Sequence, residues 1–153
     1  MTSRPQLPAP QLNAWKALLR AHATAVGRIE ANLVASGNIP LVEYDVLLEL
    51  NNAIGGTLRM AELANRVVLS RSGLTRLVER LEKLGYLRRE ATLTDRRGTQ
   101  AVLTEAGRAA LKVAWPVYAE GIREAFARYL REDEAQQLAV WLGRISAAVE
   151  VEV

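Results

Sequence analysis

The chain has 153 residues, enough for one compact domain or for one domain with dimerising extensions. It has no cysteine, which excludes disulfides, thiolate metal sites and thiol redox sensing, and no apolar run long enough to predict a membrane span. The net charge is +3, yet residues 66–97 hold nine of the 20 Lys and Arg residues and only four of the 17 acidic residues. We therefore expect a cytoplasmic protein that presents one basic region to a polyanion.

The N-terminal part is expected to be helical after a short flexible lead. Residues 1–10 contain three prolines, and apolar residues then recur at helical spacing over residues 11–36. Gly37 ends this helix, and Pro40 opens a second helix that extends to about Asn51. The inward-facing residues of the second helix are predicted to be Val42, Val46, Leu47 and Leu50.

Short helices and strands alternate in the middle of the chain. In chain order we predict a very short strand at residues 58–60, helices at 61–67 and 71–84, and strands at 86–91 and 99–103. Ser70 is placed to cap the helix at 71–84, and Gly85 is placed to end it. The polar segment 92–98 then joins the two strands as a hairpin loop.

Two long helices complete the predicted fold. Thr104 caps the first, from residue 105 to about 130, and Pro116 is expected to kink it. Acidic residues from Glu132 onward begin the last helix, where the helix dipole favours negative charge. The predicted fold class is therefore mainly α, with a small β-hairpin.

The helices at 61–67 and 71–84, joined by the tight turn at 68–70, form a predicted helix-turn-helix. The inner face of the second helix carries Leu74, Leu77, Val78, Leu81 and Leu84. Its opposite face includes Ser72, Thr75 and Arg76. We expect Thr75 and Arg76 to read base edges in the major groove of DNA. Contacts to phosphates are expected from Ser70, Arg71 and Arg80.

The hairpin tip carries Asp95, Arg96 and Arg97. An arginine on an extended hairpin can enter the minor groove, where the negative potential is strongest. Asp95 is placed to hold the Arg97 side chain by an ion pair and keep it aimed. The alternative for this tip is ordinary solvated charge.

The strings LSRSGLTRLVERLEKLGYLRR, DRRG and AVLTEAG lie between Leu69 and Gly107, and together they closely resemble the winged-helix core of MarR-type transcription regulators. The resemblance implies a winged helix-turn-helix lobe at residues 40–104, flanked by helical dimerisation regions at 11–36 and 105–150. It implies a homodimer, usually a repressor, that is often released by a small molecule. By the same resemblance, Arg97 is the wing-tip arginine with Asp95 as its partner. Residues in the positions where such proteins contact DNA are Ser70, Arg71, Ser72, Thr75 and Arg76.

A dimer is also expected from the residues themselves. A helix over residues 11–36 would be about 39 Å long at 1.5 Å per residue, more than a small winged-helix core can cover. The apolar residues of the terminal helices include Trp15, Leu19, Tyr118, Ile122, Trp141 and Ile145. Stripes of this size need a partner, and a two-fold dimer would read a pseudo-palindromic site on double-stranded DNA. The alternative is that these residues all serve the core of one chain.

A small aromatic or phenolic effector is the ligand that the remaining aromatic and polar residues favour. The candidate lining residues are Trp15, His22, Tyr44, Asp45, Trp115 and Tyr118. Ordinary core or interface packing is the competing interpretation of each.

Other functions are less compatible with the sequence. With one histidine, no cysteine and no phosphate-binding loop, zinc-protease or nucleophile-elbow pattern, the chain is not expected to be an enzyme or to hold a metal or cofactor. The alternative function is a winged-helix module that binds protein without specific DNA readout. An activator rather than a repressor also stays open, since the sign of regulation depends on where the operator lies.

Overall fold

Six α-helices and three strands make up the part of the chain that the computed structural model describes, residues 7–67, 69–91 and 98–151. The elements are α1 (Ala9–Ala35), α2 (Leu41–Asn52), β1 (Thr57–Arg59), α3 (Met60–Arg66), α4 (Arg71–Lys83), β2 (Leu87–Ala91), β3 (Thr99–Leu103), α5 (Glu105–Ala125) and α6 (Glu132–Val151). They divide into a central unit, Glu30–Tyr118, and a terminal unit, Met1–Ile29 with Ala119–Val153. No helix within the described ranges is both long enough and apolar enough to cross a membrane.

The small antiparallel sheet has the strand order β1-β3-β2. β2 and β3 form the predicted hairpin, which is paired from Leu87 and Leu103 at one end to Ala91 and Thr99 at the other. β1 adds a third strand along the opposite edge of β3. The predicted fold class, mainly α with a β-hairpin wing, is confirmed, and the short strand before α3 is part of the same sheet.

The core of the central unit is aliphatic and draws on both the helix-turn-helix and the sheet. Its buried members include Leu47, Leu50, Leu63, Leu74, Val78, Leu81, Leu87 and Leu103. The predicted inner face of α4 is confirmed at its centre, but Leu84 is 50% exposed. That prediction was wrong because α4 ends at Lys83, so that Leu84 already belongs to the turn.

Both predicted glycine stops at the ends of α1 and α4 are confirmed. Gly85 has φ +77°, and the amides of Gly85 and Tyr86 donate to the carbonyls of Glu82 and Leu81 at 2.9 Å. Gly37, at φ +70°, ends α1 with the same pair of hydrogen bonds. Such a left-handed cap satisfies the last carbonyls of a helix, and glycine adopts it without steric cost.

The fifth helix is shorter than predicted. α5 runs through Pro116 but ends at Ala125, and Phe126 leaves the helical region at φ −141° and ψ −62°. A short 3-10 turn, Ala127–Tyr129, then leads to α6. The extension to residue 130 was wrong because no glycine or proline marks the end of α5, so local sequence gives no stop signal. The kink at Pro116 stays a prediction.

Candidate nucleic-acid interface

The outer face of α4 presents hydroxyl groups and an arginine to solvent. Ser72, Thr75 and Arg76 are exposed there, opposite to the buried face of Leu74, Val78 and Leu81. Arg76 makes no ion pair with any acid in residues 7–67, 69–91 and 98–151. Its guanidinium therefore keeps its donors for an external acceptor such as a base edge.

Ser70 caps the N-terminus of α4. Its Oγ accepts a hydrogen bond from the amide of Gly73 at 3.1 Å and lies 3.4 Å from the Oγ of Ser72. A Cβ at Gly73 would lie 3.0 Å from that same Oγ. Because a capping hydroxyl uses an oxygen lone pair, its own proton is still available to a phosphate.

Arg80, predicted to hold a phosphate, is paired with a buried acid. Its Nε lies 2.9 Å from Oε1 of Glu43 on α2, and the side chains of Arg80 and Glu43 are 65% and 2% exposed. Burial raises the pKa of Glu43, the Arg80 guanidinium opposes this rise, and Glu30 adds to it. The pair therefore links the outer side of α4 to the interior of the central unit.

Sequence reasoning placed Val46, Leu47 and Leu50 correctly in the core, but it missed Glu43 because it put Val42 on the buried face of α2 in its place. Val42, predicted to face inward, is 39% exposed, whereas Glu43 is buried with Val46, Leu47 and Leu50. Positions 43, 46, 47 and 50 follow the i, i+3, i+4, i+7 spacing of one helix face. That spacing was the available signal, but it requires a charged residue to be placed on the buried side.

The root of the wing is tied to α4 by a second acid. Glu82 accepts the backbone amide of Arg89 through Oε1 and the Nε of Arg89 through Oε2, both at 2.8 Å. These hydrogen bonds lower the pKa of Glu82, and the bond from the backbone amide of Arg89 contributes most. Next to Arg89 on β2, Arg88 pairs with Glu90 at 2.6 Å, which lowers the pKa of Glu90.

Much of the positive charge counted over residues 66–97 is internally compensated. The paired cations of this window are Arg66, Arg80, Arg88 and Arg89. Two of their partners, Glu49 and Glu43, come from α2, outside the window. Among the described cations of this window, Arg76 and Lys83 on α4 are the ones without an ion pair.

The wing-tip predictions lie outside the described residues. This applies to Asp95, Arg96 and Arg97, to the side chain of Arg71 and to Val68 in the predicted turn. The described residues include the base of the wing, where Ala91 of β2 is paired with Thr99 of β3.

Three of the predicted effector residues form an aromatic cluster in the central unit. The ring of Tyr118 lies 4.7 Å from that of Tyr44, tilted by 60°, and 6.2 Å from that of Trp115 in an edge-on arrangement. Tyr44 is buried, whereas Trp115 is 54% exposed. Burial raises the pKa of both tyrosines, and the nearby carboxylate of Asp45 raises them further. The cluster therefore has aromatic walls and one acid close to its hydroxyl groups.

Asp45 also lies on a shallow groove of about 270 Å³. The groove is lined by Val42, Asp45, Leu48, Glu49, Arg66, Val67 and Leu69. Desolvation raises the pKa of Asp45, and the carboxylates of Glu49 and Glu30 raise it further. Trp15 and His22, the other two predicted lining residues, belong to the terminal unit and are exposed within it.

The sequence is similar to known helix-turn-helix proteins over this lobe. A family model described as MarR family matches residues 38–98. YkoM of Bacillus subtilis, an uncharacterised HTH-type transcriptional regulator, is 33% identical over 87 residues, which cover 57% of this chain and 56% of YkoM. The chain thus spans little more than half the length of that relative.

Solved structures are similar over nearly the whole chain. The MarR family transcriptional regulator Sco3205 of Streptomyces coelicolor, solved in complex with DNA, has a TM-score of 0.85 at 28% identity and covers 97% of this chain and 92% of its own. AbsC, a MarR family regulator of the same organism, has a TM-score of 0.84 at 27% identity, with 96% and 99% covered. The family match across the helix-turn-helix and the structural likeness across the rest of the fold agree, and both show that the chain is similar to MarR family regulators.

Proposed function

We propose that the protein is a transcriptional regulator that binds a pseudo-palindromic operator as a homodimer and acts as a repressor. The observation that carries this proposal is the outer face of α4, where Arg76 is exposed beside Ser72 and Thr75 and has no acidic partner among the described residues. A helix that carries arginine and hydroxyl groups on its outer face can place these donors against base edges in the major groove. The similar protein Sco3205 was solved in complex with DNA, which supports the same use of this fold here.

The proposed contacts divide by what they recognise. Thr75 and Arg76 read bases, and Ser72 beside them adds a hydroxyl donor. Ser70, Arg71 and Arg80 hold phosphates, which position the lobe without specifying sequence. On the wing, Arg97 enters the minor groove with Asp95 as its partner, and Arg96 adds charge at the tip.

A small aromatic or phenolic effector is proposed to act on the aromatic cluster of Tyr44, Trp115 and Tyr118. The contact between the two tyrosine rings and the exposure of Trp115 support a site where a planar molecule can stack. Asp45 is a further candidate contact, and Trp15 and His22 stay candidates on sequence grounds. A thermal-shift screen of aromatic acids and phenols tests this, with no stabilisation by any compound as the contrary result.

The first test of the function is DNA binding by Arg76→Ala. Fluorescence anisotropy with duplex DNA from upstream of the protein's own gene should give a Kd for the wild type that rises steeply with salt, because phosphate contacts release counterions. Arg76→Ala should cost roughly 1–3 kcal/mol of specific binding without unfolding the protein.

Lys112→Ala is the matched control, because Lys112 is an exposed cation on α5 with no part in the proposed interface. It should change the Kd much less than Arg76→Ala. If Arg76→Ala and Arg97→Ala combined left DNA binding unchanged, DNA readout would be refuted. The protein-binding module would then be the better assignment.

A further inference from the structure

The pair of Glu43 and Arg80 connects a buried position to the proposed DNA surface. Glu43 is the one charged side chain that is buried among the residues the structure describes, at 2% exposure. Its Oε1 lies 2.9 Å from the Nε of Arg80, whose side chain is 65% exposed. The acid is therefore fixed in the core of the central unit, while the cation that it holds extends from the outer side of α4.

A buried carboxylate in this place needs an explanation beyond stability. Taking an acid out of water costs several kcal/mol, and an apolar residue of similar volume often replaces a buried ion pair without loss of stability. Because Glu43 lies on the same helix face as Val46 and Leu47, an aliphatic side chain would suit the packing there. An aliphatic side chain, however, could not form an ion pair with Arg80.

The ion pair has its short contact at Nε, and no hydrogen bond among the described residues uses the two terminal amino groups of the guanidinium, which are therefore open to another acceptor. Arginine carries five N–H donors in a planar fork, and a phosphate can accept two of them side by side. A free arginine side chain loses about 0.5–1.5 kcal/mol of rotamer freedom when an interface immobilises it. An arginine already held at Nε has lost part of that freedom before DNA arrives.

We propose that Glu43 is a positioning residue for DNA binding, which holds the Arg80 guanidinium so that its two terminal amino groups meet a backbone phosphate. This inference rests on the proposed function. The charged groups that face Glu43 are Arg80 from α4 and Glu30 from α1. Glu30 is itself engaged, since it accepts the amide of Leu41 at 2.6 Å, so Arg80 is the cation that this acid orients.

Glu43→Met separates positioning from simple electrostatics. The substitution removes a negative charge from the lobe, so charge alone would tighten the binding of DNA. Loss of positioning should instead weaken binding by about 2- to 10-fold per protomer and lower the slope of log Kd against log salt by about one. Glu105→Gln is the matched control, because it removes a negative charge from a 94% exposed side chain and should leave affinity equal or tighter.

A double-mutant cycle distinguishes this role from a general effect on folding. Glu43→Met should weaken binding in the wild-type background but have no further effect in an Arg80→Ala background. The amide oxygen of Glu43→Gln can still accept from Nε, so this variant should recover part of the affinity. Thermal unfolding midpoints of all variants, measured without DNA, show whether each is folded.

Arg80→Lys keeps the inference testable if Glu43→Met does not fold. Lysine retains the charge but has no planar fork that can bond Glu43 and a phosphate together, so binding should weaken as for Glu43→Met. Wild-type affinity of either variant, or an equal loss in both backgrounds of the cycle, would overturn the inference and leave the proposed function standing. A wild-type protein that bound no DNA would overturn both.

Discussion

Gly107 lies where α5 begins directly against the turn that follows α4. A Cβ at this position would fall onto the carbonyl oxygen of Tyr86 and come within 2.7 Å of Cδ1 of Leu103. The same turn is held by Thr104, whose amide donates to Tyr86 at 3.1 Å and whose hydroxyl donates to the carbonyl of Gly85 at 2.6 Å. The glycine therefore allows a close backbone approach that anchors the long helix to the lobe.

Gly107→Ala should destabilise the protein by about 1–3 kcal/mol, because the new methyl group overlaps with a backbone oxygen that cannot move without loss of the Thr104 hydrogen bond. Alanine normally stabilises a helix interior relative to glycine by about 1 kcal/mol. A decrease in the free energy of unfolding would therefore point to the steric overlap. Urea unfolding followed by circular dichroism measures it. Gly27→Ala, with nothing within 4 Å of the added carbon, should be neutral or stabilising. Unchanged stability of Gly107→Ala would show that the turn can relax.

At the level of elements, Glu82 joins α4 to the root of the wing at Arg89 of β2. β2 is an edge strand in the order β1-β3-β2, so the outward amide of Arg89 has no strand partner, and Glu82 supplies the acceptor. The guanidinium of the same arginine bonds the other carboxylate oxygen. An edge amide and a helix carboxylate are thus satisfied together, which fixes the root of the wing against α4.

The Glu82–Arg89 bond should give stability a specific pH dependence. Because the pKa of Glu82 is lowered in the folded state, its contribution is present above the unfolded value of about 4.5 and is lost as pH falls through the folded pKa. At neutral pH, Glu82→Ala should lower the free energy of unfolding by about 0.2–1 kcal/mol, since the pair is exposed. The difference from wild type should shrink in acid.

Unfolding titrations of the two proteins between neutral and acidic pH measure this difference. The control is Glu79→Ala, one turn earlier on α4, because Glu79 approaches Arg89 only to 3.9 Å. It should show a smaller and flatter effect. A difference between wild type and Glu82→Ala that stayed constant with pH would mean that the carboxylate charge does not contribute.

The elements that sequence reasoning located well are those with local signals. The stops at Gly37 and Gly85 and the cap at Ser70 each depend on one residue and its near neighbours, and the exposure of Thr75 and Arg76 follows from helical periodicity. The end of α5 at Ala125 has no local mark. The pairing of β1 with β3 and the ion pair of Arg80 with Glu43 join distant parts of the chain, so no spacing in the sequence predicts them.

For the whole molecule, the terminal unit has too little core of its own. Among its described residues, only Ile29 and Gly121 are buried, where a Cβ on Gly121 would lie 3.0 Å from Cγ1 of Ile29. Large apolar side chains of this unit that are exposed include Leu12, Trp15, Leu19, Trp141 and Ile145. Exposed apolar surface on that scale is typical of an interface, which supports the proposed homodimer.

Ile145→Glu should therefore break the dimer. Ile145 is 58% exposed in the single chain. A glutamate placed in an apolar interface would have no partner for its charge, which costs roughly 3 kcal/mol or more. This cost should weaken association by about a hundredfold or more. Light scattering at micromolar concentration should give the mass of two 16.9-kDa chains for the wild type and a smaller mass for the variant. Operator affinity should fall with it, because one lobe reads only one half-site.

Ile54→Glu makes the same change at a 99% exposed position of the central unit and should leave the mass unchanged. A monomeric wild type, or an Ile145→Glu protein that stays dimeric, would move the interface away from this surface.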